Sequence, residues 1–202
     1  MDGMGTETGS YLVAADGAHS RIRKSLGIDM DGPGTLQYLV NIHFRSPMLG
    51  RRLIEERRMG MLYFIFGTKN IIVLVAHNLG EGEFVAQVPF FPPLQNAEDF
   101  DMNRCKDIVI NEMCAGEDVT DVEVLNAKPW AMGAAVATRY RHGNIFLAGD
   151  AAHIVPPSGA FGMNTGIQDA HNLAWKLARV LQCRSGSNQA SLLASYEAER
   201  KP

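Results

Sequence analysis

The chain has 202 residues, of which 46% are hydrophobic and 20% are charged, and its formal net charge is −3. This composition is that of a globular protein with one or two domains, and the mildly negative charge argues against a nucleic-acid partner. There is no apolar stretch long enough to span a bilayer, and no secretory signal is evident. The odd number of widely spaced cysteines argues against a disulfide framework and a zinc cluster; they are Cys105, Cys114 and Cys183.

The first predicted element is a short apolar strand over residues 11–15, which leads into an Asp16-Gly17 turn. A helix is expected next, because Ile22 and Leu26 are four residues apart and Gly27 is placed to end the helix. By itself this is an ordinary strand–turn–helix corner.

The middle of the chain is predicted to be a mostly β unit with one helix. Alternating or continuous apolar runs predict strands that are joined by short turns, which favours an antiparallel sheet. Lys69-Asn70 fits a tight hairpin, and Pro92-Pro93 ends a strand. The predicted strands are 36–44, 60–66, 71–77, 83–91, 121–132 and 134–139, and the predicted helix is 97–113.

The most informative stretch begins with a buried-strand pattern over residues 145–148, which Gly149-Asp150 ends. A loop rich in proline and glycine follows, and a helix is predicted to start near Thr165. Its apolar residues recur at spacings of three and four; they are Ile167, Ala170, Ala174, Leu177, Ala178 and Leu181. A last helix over 190–200 is expected to pack through Leu192, Leu193 and Tyr196.

This order of elements can form a site for a polyoxygenated, partly anionic ligand. A carboxylate at a strand end accepts hydrogen bonds from ribose-type hydroxyls, and glycines allow a close approach of the backbone. The free N–H groups at a helix start favour negative charge. The alternative is a buried strand, a surface loop and a packing helix, since a Gly-rich loop before a helix is a weak signal.

Two segments carry a resemblance to a known family. The segment from Gly149 to Leu177, GDAAHIVPPSGAFGMNTGIQDAHNLAWKL, resembles the second flavin-binding motif of the FAD-dependent aromatic hydroxylases, the single-component flavoprotein monooxygenases. It departs at Ala160-Phe161, where many members have glycine and a polar residue. Residues 12–28, LVAADGAHSRIRKSLGI, resemble the family's Asp-Gly motif.

The family's first motif, the G-x-G-x-x-G that holds the ADP half of FAD, is not found. Gly3, Gly5 and Gly9 neither follow a strand nor open a helix. The resemblance therefore predicts that the chain corresponds to the middle and end of a larger hydroxylase, as a truncated gene model, a fragment or a natural short form. It implies an α/β (α+β) fold, in which an incomplete FAD-binding domain (1–28 and 140–202) is interrupted by an antiparallel β-sheet substrate domain (29–139).

The resemblance also assigns roles to particular residues. Asp16 is expected to fix a local hydrogen-bond network, Arg23 to act electrostatically near the cofactor or its reductant, and Asp150 to accept hydrogen bonds from the ribityl chain. Pro156 and Pro157 are expected to line the reactive edge of the flavin and exclude water. The full set of cofactor-binding residues is Asp16, Gly17, Arg23, Gly149, Asp150, Pro156, Pro157, Gly159, Gly162, Met163 and Asn164.

The function that the resemblance implies is NAD(P)H-driven hydroxylation of an aromatic or other electron-rich small molecule. FAD is the cofactor, O₂ the co-substrate, and a flavin C4a-hydroperoxide the oxygenating species. The family uses no metal and no shared acid–base pair, so no catalytic residue is assigned, and His153 is interpreted as a packing or hydrogen-bonding residue. The substrate-facing candidates are His43, Tyr63 and Trp130, with Phe64 and Phe66.

Two other functions stay open at this point. Related families that share the second motif include flavin-dependent reductases and halogenases, and a halogenase would carry a catalytic Lys and W-x-W-x-I-P. The second open possibility is a truncated, catalytically silent protein that acts by binding a partner. The sequence leaves open the substrate, the choice of NADH or NADPH and the oligomeric state. Cytoplasm is the default location, or an organelle if a targeting segment precedes the chain.

Overall fold

The computed structural model describes residues 7–67, 69–114, 118–182 and 188–201; the glycines at 3 and 5 and the cysteine at 183 lie outside these ranges. The strands are β1 (Leu12–Ala14), β2 (Met30–Arg45), β3 (Leu62–Phe66), β4 (Ile71–Asn78), β5 (Glu83–Phe90), β6 (Glu123–Ala137), β7 (Arg141–His142), β8 (Ile145–Leu147) and β9 (His153–Ile154). The α-helices are α1 (Arg21–Ser25), α2 (Pro47–Glu55), α3 (Met102–Asp107), α4 (Phe161–Gln182) and α5 (Gln189–Arg200).

The contacts divide the chain into two units. The first unit runs up to Gly34 and again from Gly133 onward, and the second is Thr35–Met132. The long strands β2 and β6 each contribute residues to both units. The predicted domain boundaries, after residues 28 and 139, stay a prediction. None of the helices within the described ranges has the length and apolar character needed to cross a membrane.

The second unit is built on antiparallel strands. A six-stranded sheet has the order β3-β4-β5-β2-β6-β9, and the pairs β3–β4, β4–β5 and β5–β2 are antiparallel. Alternate residues of β2 and β5 are buried on one face, where Phe44 and Phe84 stack with ring centroids 5.5 Å apart. Buried residues of α2 and α3 belong to the same hydrophobic core. The predicted mixed α/β fold with an antiparallel sheet is confirmed.

The helix predicted over 97–113 is broken into three pieces. A 3₁₀ turn covers Ala97–Asp99, α3 follows, and Ile108–Met113 is π-helical. The break has a local cause, because the Asp101 carboxylate accepts the Arg104 backbone N–H at 2.7 Å and so starts a new helix.

The strands predicted over 121–132 and 134–139 are in fact one strand, β6. The predicted break falls at Gly133. The strand continues through this residue, and the glycine allows the backbone of β6 to lie close to the backbone at Gly34. A Cβ at this position would lie 2.9 Å from the Gly34 carbonyl oxygen, which is too close.

The first unit has a small mixed sheet of order β1-β8-β7. β1 pairs parallel with β8, and Leu12 lies opposite Ile145. Phe146 of β8 and Tyr196 of α5 are fully buried with Leu173 of α4 in one hydrophobic core. The sheet and the two long helices therefore share a single core.

Most of the apolar residues whose spacing indicates α4 are exposed in the structure, and of the six only Leu177 packs against the core. Ile167 and Leu181 are 58% and 59% exposed, and Trp175 beside this stripe is 50% exposed. The buried positions lie on the other side of the helix and include two charged residues; they are Asp169, Leu173, Lys176 and Val180.

Helix α5 is tied to β8 by a buried hydroxyl. Tyr196 Oη donates to the Leu147 carbonyl oxygen at 2.7 Å, and burial raises the pKa of Tyr196 above its usual value. Replacing Tyr196 with phenylalanine should lower the free energy of unfolding by about 1–3 kcal/mol, because the buried carbonyl loses its donor. Urea denaturation followed by circular dichroism measures the change.

The matched control is Tyr63→Phe. The Tyr63 hydroxyl also accepts from the Gly60 N–H and donates to the Arg58 carbonyl, but at the protein surface. Water can replace these bonds, so the loss should be smaller, below about 1 kcal/mol. Equal losses in the two variants would contradict a special role for the Tyr196 bond.

Candidate functional site

The Asp-Gly turn is organised by the Asp16 carboxylate at the start of α1. Asp16 Oδ2 accepts the backbone N–H groups of Arg21 at 2.9 Å and Ile22 at 3.2 Å. Gly17 has φ +83°, and its carbonyl accepts the Ser20 N–H. A hydrogen bond from Ser20, aided by these amides, holds the pKa of Asp16 below its usual value. These contacts fix the turn, while a cofactor role for Asp16 and Gly17 stays a prediction.

Arg23 connects this turn to the second motif. The side chain is buried, with 5% of the residue exposed. Its Nη1 donates to the Ala151 carbonyl at 3.0 Å, and its Nη2 donates to the Ala18 carbonyl at 3.0 Å. The structure thus gives Arg23 a scaffolding contact between two loops, and its predicted action near the cofactor or reductant stays a prediction.

The Gly-Asp loop begins where β8 ends. Gly149–Ala151 forms a 3₁₀ turn in which Gly149 has φ +60°. Gly166 of α4 lies against this turn, since a Cβ added to Gly166 would be 3.4 Å from Gly149 Cα. Asp150 is exposed, and its carboxylate has no hydrogen-bond partner among the residues that the structure describes. A strand end therefore presents a free carboxylate beside a helix.

The loop then turns sharply into α4. Pro156 is half-buried and Pro157 is exposed. Gly159 and Ala160 both have positive φ, at +81° and +56°. Phe161 follows, 65% exposed, with its ring packed over Gly159.

Helix α4 starts at Phe161, four residues before the predicted start near Thr165. Gly162, Met163 and Asn164 therefore lie in its first turn and not in a loop. The 3₁₀ turn over Ser158–Ala160 comes directly before Phe161, so the α-helix begins at Phe161. The N–H groups of a first turn have no partner within the helix, so these residues can still offer donors to an anionic group.

A buried polar network below the Gly-Asp loop was not predicted. Asp169 of α4 is fully buried, and its Oδ2 accepts the Gly149 N–H at 3.0 Å and His153 Nε2–H at 2.6 Å. Its Oδ1 accepts Arg200 Nε–H at 2.8 Å. Burial alone would raise the pKa of Asp169, but the bonds from His153, Arg200 and Gly149 outweigh it and lower that pKa. His153 is thus buried and hydrogen-bonded.

A second polar cluster joins the same two helices. Lys176 of α4 is fully buried and donates to Glu199 Oε2 at 2.8 Å and Ser195 Oγ at 2.7 Å. Hydrogen bonds from Asn172, Lys176 and Ser195 lower the pKa of Glu199 to about 2. A sequence signal for both clusters exists: positions 169, 173, 176 and 180 share one helix face, although two of them are charged.

In the second unit, the substrate candidates divide between the two faces of the sheet. His43 and Trp130 lie on the face opposite the core, which we term the open face. His43 Nε2 donates to Glu83 Oε1 at 2.7 Å, and His43 Nδ1 accepts from Asn126 at 3.2 Å. Tyr63 points to the other face, packs against the core and holds the loop before β3.

The open face has a polar half and an apolar half. Directly paired residues of adjacent strands share a face. One row across the sheet is therefore Phe64, Val73, Gln87 and Asn41, and Trp130 Nε1 donates to the Asn41 Oδ1 at 2.8 Å. On the apolar half Phe64 is 60% exposed, and Phe66, on the same face of β3, is 76% exposed.

The residues of the first unit fit a flavin nucleotide. The free Asp150 carboxylate suits ribityl hydroxyls, and the first turn of α4 offers N–H donors to an electron-rich edge. Gly149 and Gly166 keep the loop and the helix close together.

Comparisons with known proteins agree with this fit. The family model described as "FAD binding domain" matches residues 2–202. Tetracenomycin A2 monooxygenase-dioxygenase of Streptomyces glaucescens is 39% identical over 198 residues, which cover 95% of this chain and 34% of that protein. 4-Methyl-5-nitrocatechol 5-monooxygenase of Burkholderia sp is 41% identical over 194 residues, with coverages of 95% and 34%. The chain spans about a third of the length of the curated relatives it matches.

The fold is similar to that of a solved hydroxylase. The crystal structure of a ternary complex of aklavinone-11 hydroxylase with FAD and aklavinone has a TM-score of 0.79 and 34% identity, covering 95% of this chain and 34% of that one. The comparisons confirm the resemblance carried by the two motifs. Because the family model spans nearly every residue, the chain belongs to the FAD-binding-domain family of the FAD-dependent aromatic hydroxylases.

Proposed function

We propose that this chain holds the flavin and substrate sites of an FAD-dependent monooxygenase that hydroxylates a phenolic aromatic compound. The observation that carries the proposal is the free, exposed Asp150 carboxylate on the Gly149 turn, beside the N-terminus of α4. The similarity to a tetracenomycin A2 monooxygenase-dioxygenase and a 4-methyl-5-nitrocatechol 5-monooxygenase supports the reaction class.

The residues of the first unit bind and shield the cofactor. Asp150 accepts hydrogen bonds from ribityl hydroxyls, and the first-turn N–H groups of Gly162, Met163 and Asn164 face the flavin's pyrimidine edge. These donors stabilise negative charge there by roughly 0.3–1 kcal/mol. Pro156 and Pro157 offer no N–H and limit access of water. When bound, FAD would supply the redox chemistry: hydride from NAD(P)H reduces it, and its reaction with O₂ gives one oxygen atom to the substrate while the other leaves as water.

The open face of the second unit is the proposed substrate surface. Its apolar half, with Phe64 and Phe66, suits the face of an aromatic ring system. On its polar half, Asn41 and Gln87 have amide N–H groups that can donate to ring oxygens. The nitrogens of His43 and Trp130 on the same half are already bonded to protein groups, so these two side chains would contribute their ring surfaces. A multi-ring phenol covers both halves better than a single ring does. Tyr63 is not part of this proposed surface, because it points to the core.

The test is a titration of the purified 202-residue chain with FAD, followed by flavin fluorescence and visible absorbance. Saturable binding at micromolar FAD is expected. The loaded protein is then given NADPH or NADH with one-ring and multi-ring phenols, and product is measured by mass spectrometry. Hydroxylated product supports the proposal. A folded chain that binds no FAD, or that consumes NAD(P)H and releases only hydrogen peroxide with every phenol, would contradict it.

A further inference from the structure

One buried carboxylate joins three elements of the first unit. Asp169 of α4 accepts hydrogen bonds from the Gly149 N–H, from His153 Nε2–H and from Arg200 Nε–H of α5. Asp169 is 0% exposed, so water cannot replace these bonds. Arg200 also donates to the Thr165 carbonyl at 3.4 Å. The carboxylate is thus held in place from outside the loop.

The two bonds to the loop lie on either side of Asp150. Gly149 and His153 both bind the same oxygen, Asp169 Oδ2, at 3.0 Å and 2.6 Å. Between them Asp150 is exposed, and its side chain lacks a partner in the described part of the chain. The loop is therefore fastened to α4 at both ends, and its central carboxylate points outward.

We propose that Asp169 is a positioning residue that fixes the Gly149–His153 loop on α4 and so presents Asp150 to FAD. This inference rests on the proposed function, since Asp150 is assigned there to the cofactor. Asp169 itself does not touch the cofactor in this assignment. Its effect on FAD binding passes through the loop.

Among the described residues, no other hydrogen bond ties this loop to α4: the Arg23 bond to Ala151 ties it to α1, and the Ala137 N–H bond to Ala152 ties it to β6. His153 Nδ1 is buried without a hydrogen-bond partner in the part of the chain that the structure describes, so the only bond that orients this ring is the one to Asp169. The nearby Tyr140 hydroxyl is also buried without a partner there. An asparagine has one acceptor oxygen and an NH₂ group that cannot accept. It cannot serve Gly149, His153 and Arg200 together.

The test compares Asp169→Asn with Glu199→Gln in the 202-residue chain. Glu199→Gln weakens the Lys176 bond between α4 and α5 but leaves every bond to the loop in place. The first readout needs no cofactor: it is the hydrogen exchange rate of the Gly149 amide, measured by NMR. Exchange should be about tenfold faster in Asp169→Asn than in Glu199→Gln, because the Gly149 N–H then has at best a neutral amide oxygen as its acceptor in place of a charged one. The second readout is the Kd for FAD, which should rise about tenfold or more in Asp169→Asn alone.

The outcomes separate this proposal from the proposed function. Equal Gly149 exchange in the two variants overturns the positioning role, whatever the chain binds. Faster exchange with an unchanged Kd for FAD also overturns it. A wild-type chain that binds no FAD contradicts the proposed function, and Gly149 exchange then still decides whether Asp169 holds the loop.

A second variant covers the case in which Asp169→Asn does not fold. His153→Leu has no side-chain donor, so it removes the bond at the end of the loop and leaves the Gly149 bond intact. Amide exchange at Ala151 and Ala152 should then rise at least about tenfold, with the Gly149 amide still protected and the Kd for FAD raised. Unchanged exchange across the loop would overturn the proposal.

Discussion

Replacing Arg23 with methionine should lower the free energy of unfolding by about 3–5 kcal/mol. The guanidinium group is buried and donates one charged hydrogen bond to Ala151 and one to Ala18. Such bonds contribute roughly 1.5–3 kcal/mol each, and the buried Ala151 carbonyl would be left without its donor. Methionine keeps most of the aliphatic packing, so the loss reports mainly on these bonds. Urea denaturation at neutral pH, followed by circular dichroism, measures it.

The control is Arg21→Met on the same helix, where the side chain is exposed. Its effect should stay within about 0.5 kcal/mol, as is usual for surface substitutions. If Arg23→Met is as stable as the control, the two bonds are not a significant part of the fold. A stable Arg23→Met protein with an altered rate of reduction by NAD(P)H would then favour the role that the family resemblance predicts.

Replacing Asp150 with alanine should weaken FAD binding by about 10- to 100-fold, without destabilising the protein. The carboxylate is exposed and has no partner among the described residues, so its removal leaves no buried group unsatisfied. The bonds that it is proposed to make to ribityl hydroxyls are charge-assisted and worth roughly 1.5–3 kcal/mol. The Kd for FAD is measured by quenching of flavin fluorescence, and stability by urea denaturation.

Asp31→Ala is the matched control for charge, because Asp31 is another exposed carboxylate of the first unit. Its Kd for FAD should equal that of the wild type. Asp150→Asn should lie between Asp150→Ala and the wild type, since an amide oxygen accepts hydrogen bonds without a charge. An Asp150→Ala protein that binds FAD as tightly as the wild type would rule out the assigned role.

The local elements of the site were accessible from the sequence because they depend on neighbours in the chain. The strand before Gly149, the helix that ends just before Gly27 and the hairpin near Asn70 follow from short apolar runs and turn residues. The predicted start of α4 was four residues too late, because Gly159 and Ala160 adopt positive φ in a turn that composition alone does not predict.

The network around Asp169 depends on long-range geometry and was not predicted. Arg200 is 31 positions from Asp169, and nothing in the local pattern pairs them. The direction in which Tyr63 points was also not predictable from the sequence. Both faces of β3 carry large apolar residues, so alternation predicts the strand but not which face is buried. The packing of the second unit decides this, and it turns Tyr63 inward and Phe64 outward.

The two tryptophans of the chain are divided between the two units. Trp130 lies in the second unit, bonded to Asn41, and Trp175 lies half-exposed on α4 in the first unit. Each unit therefore contains one tryptophan. When the light excites tryptophan but not tyrosine, a Trp130→Phe protein emits only from the first unit and a Trp175→Phe protein only from the second. Fluorescence can then show whether the two units unfold in one transition or in two.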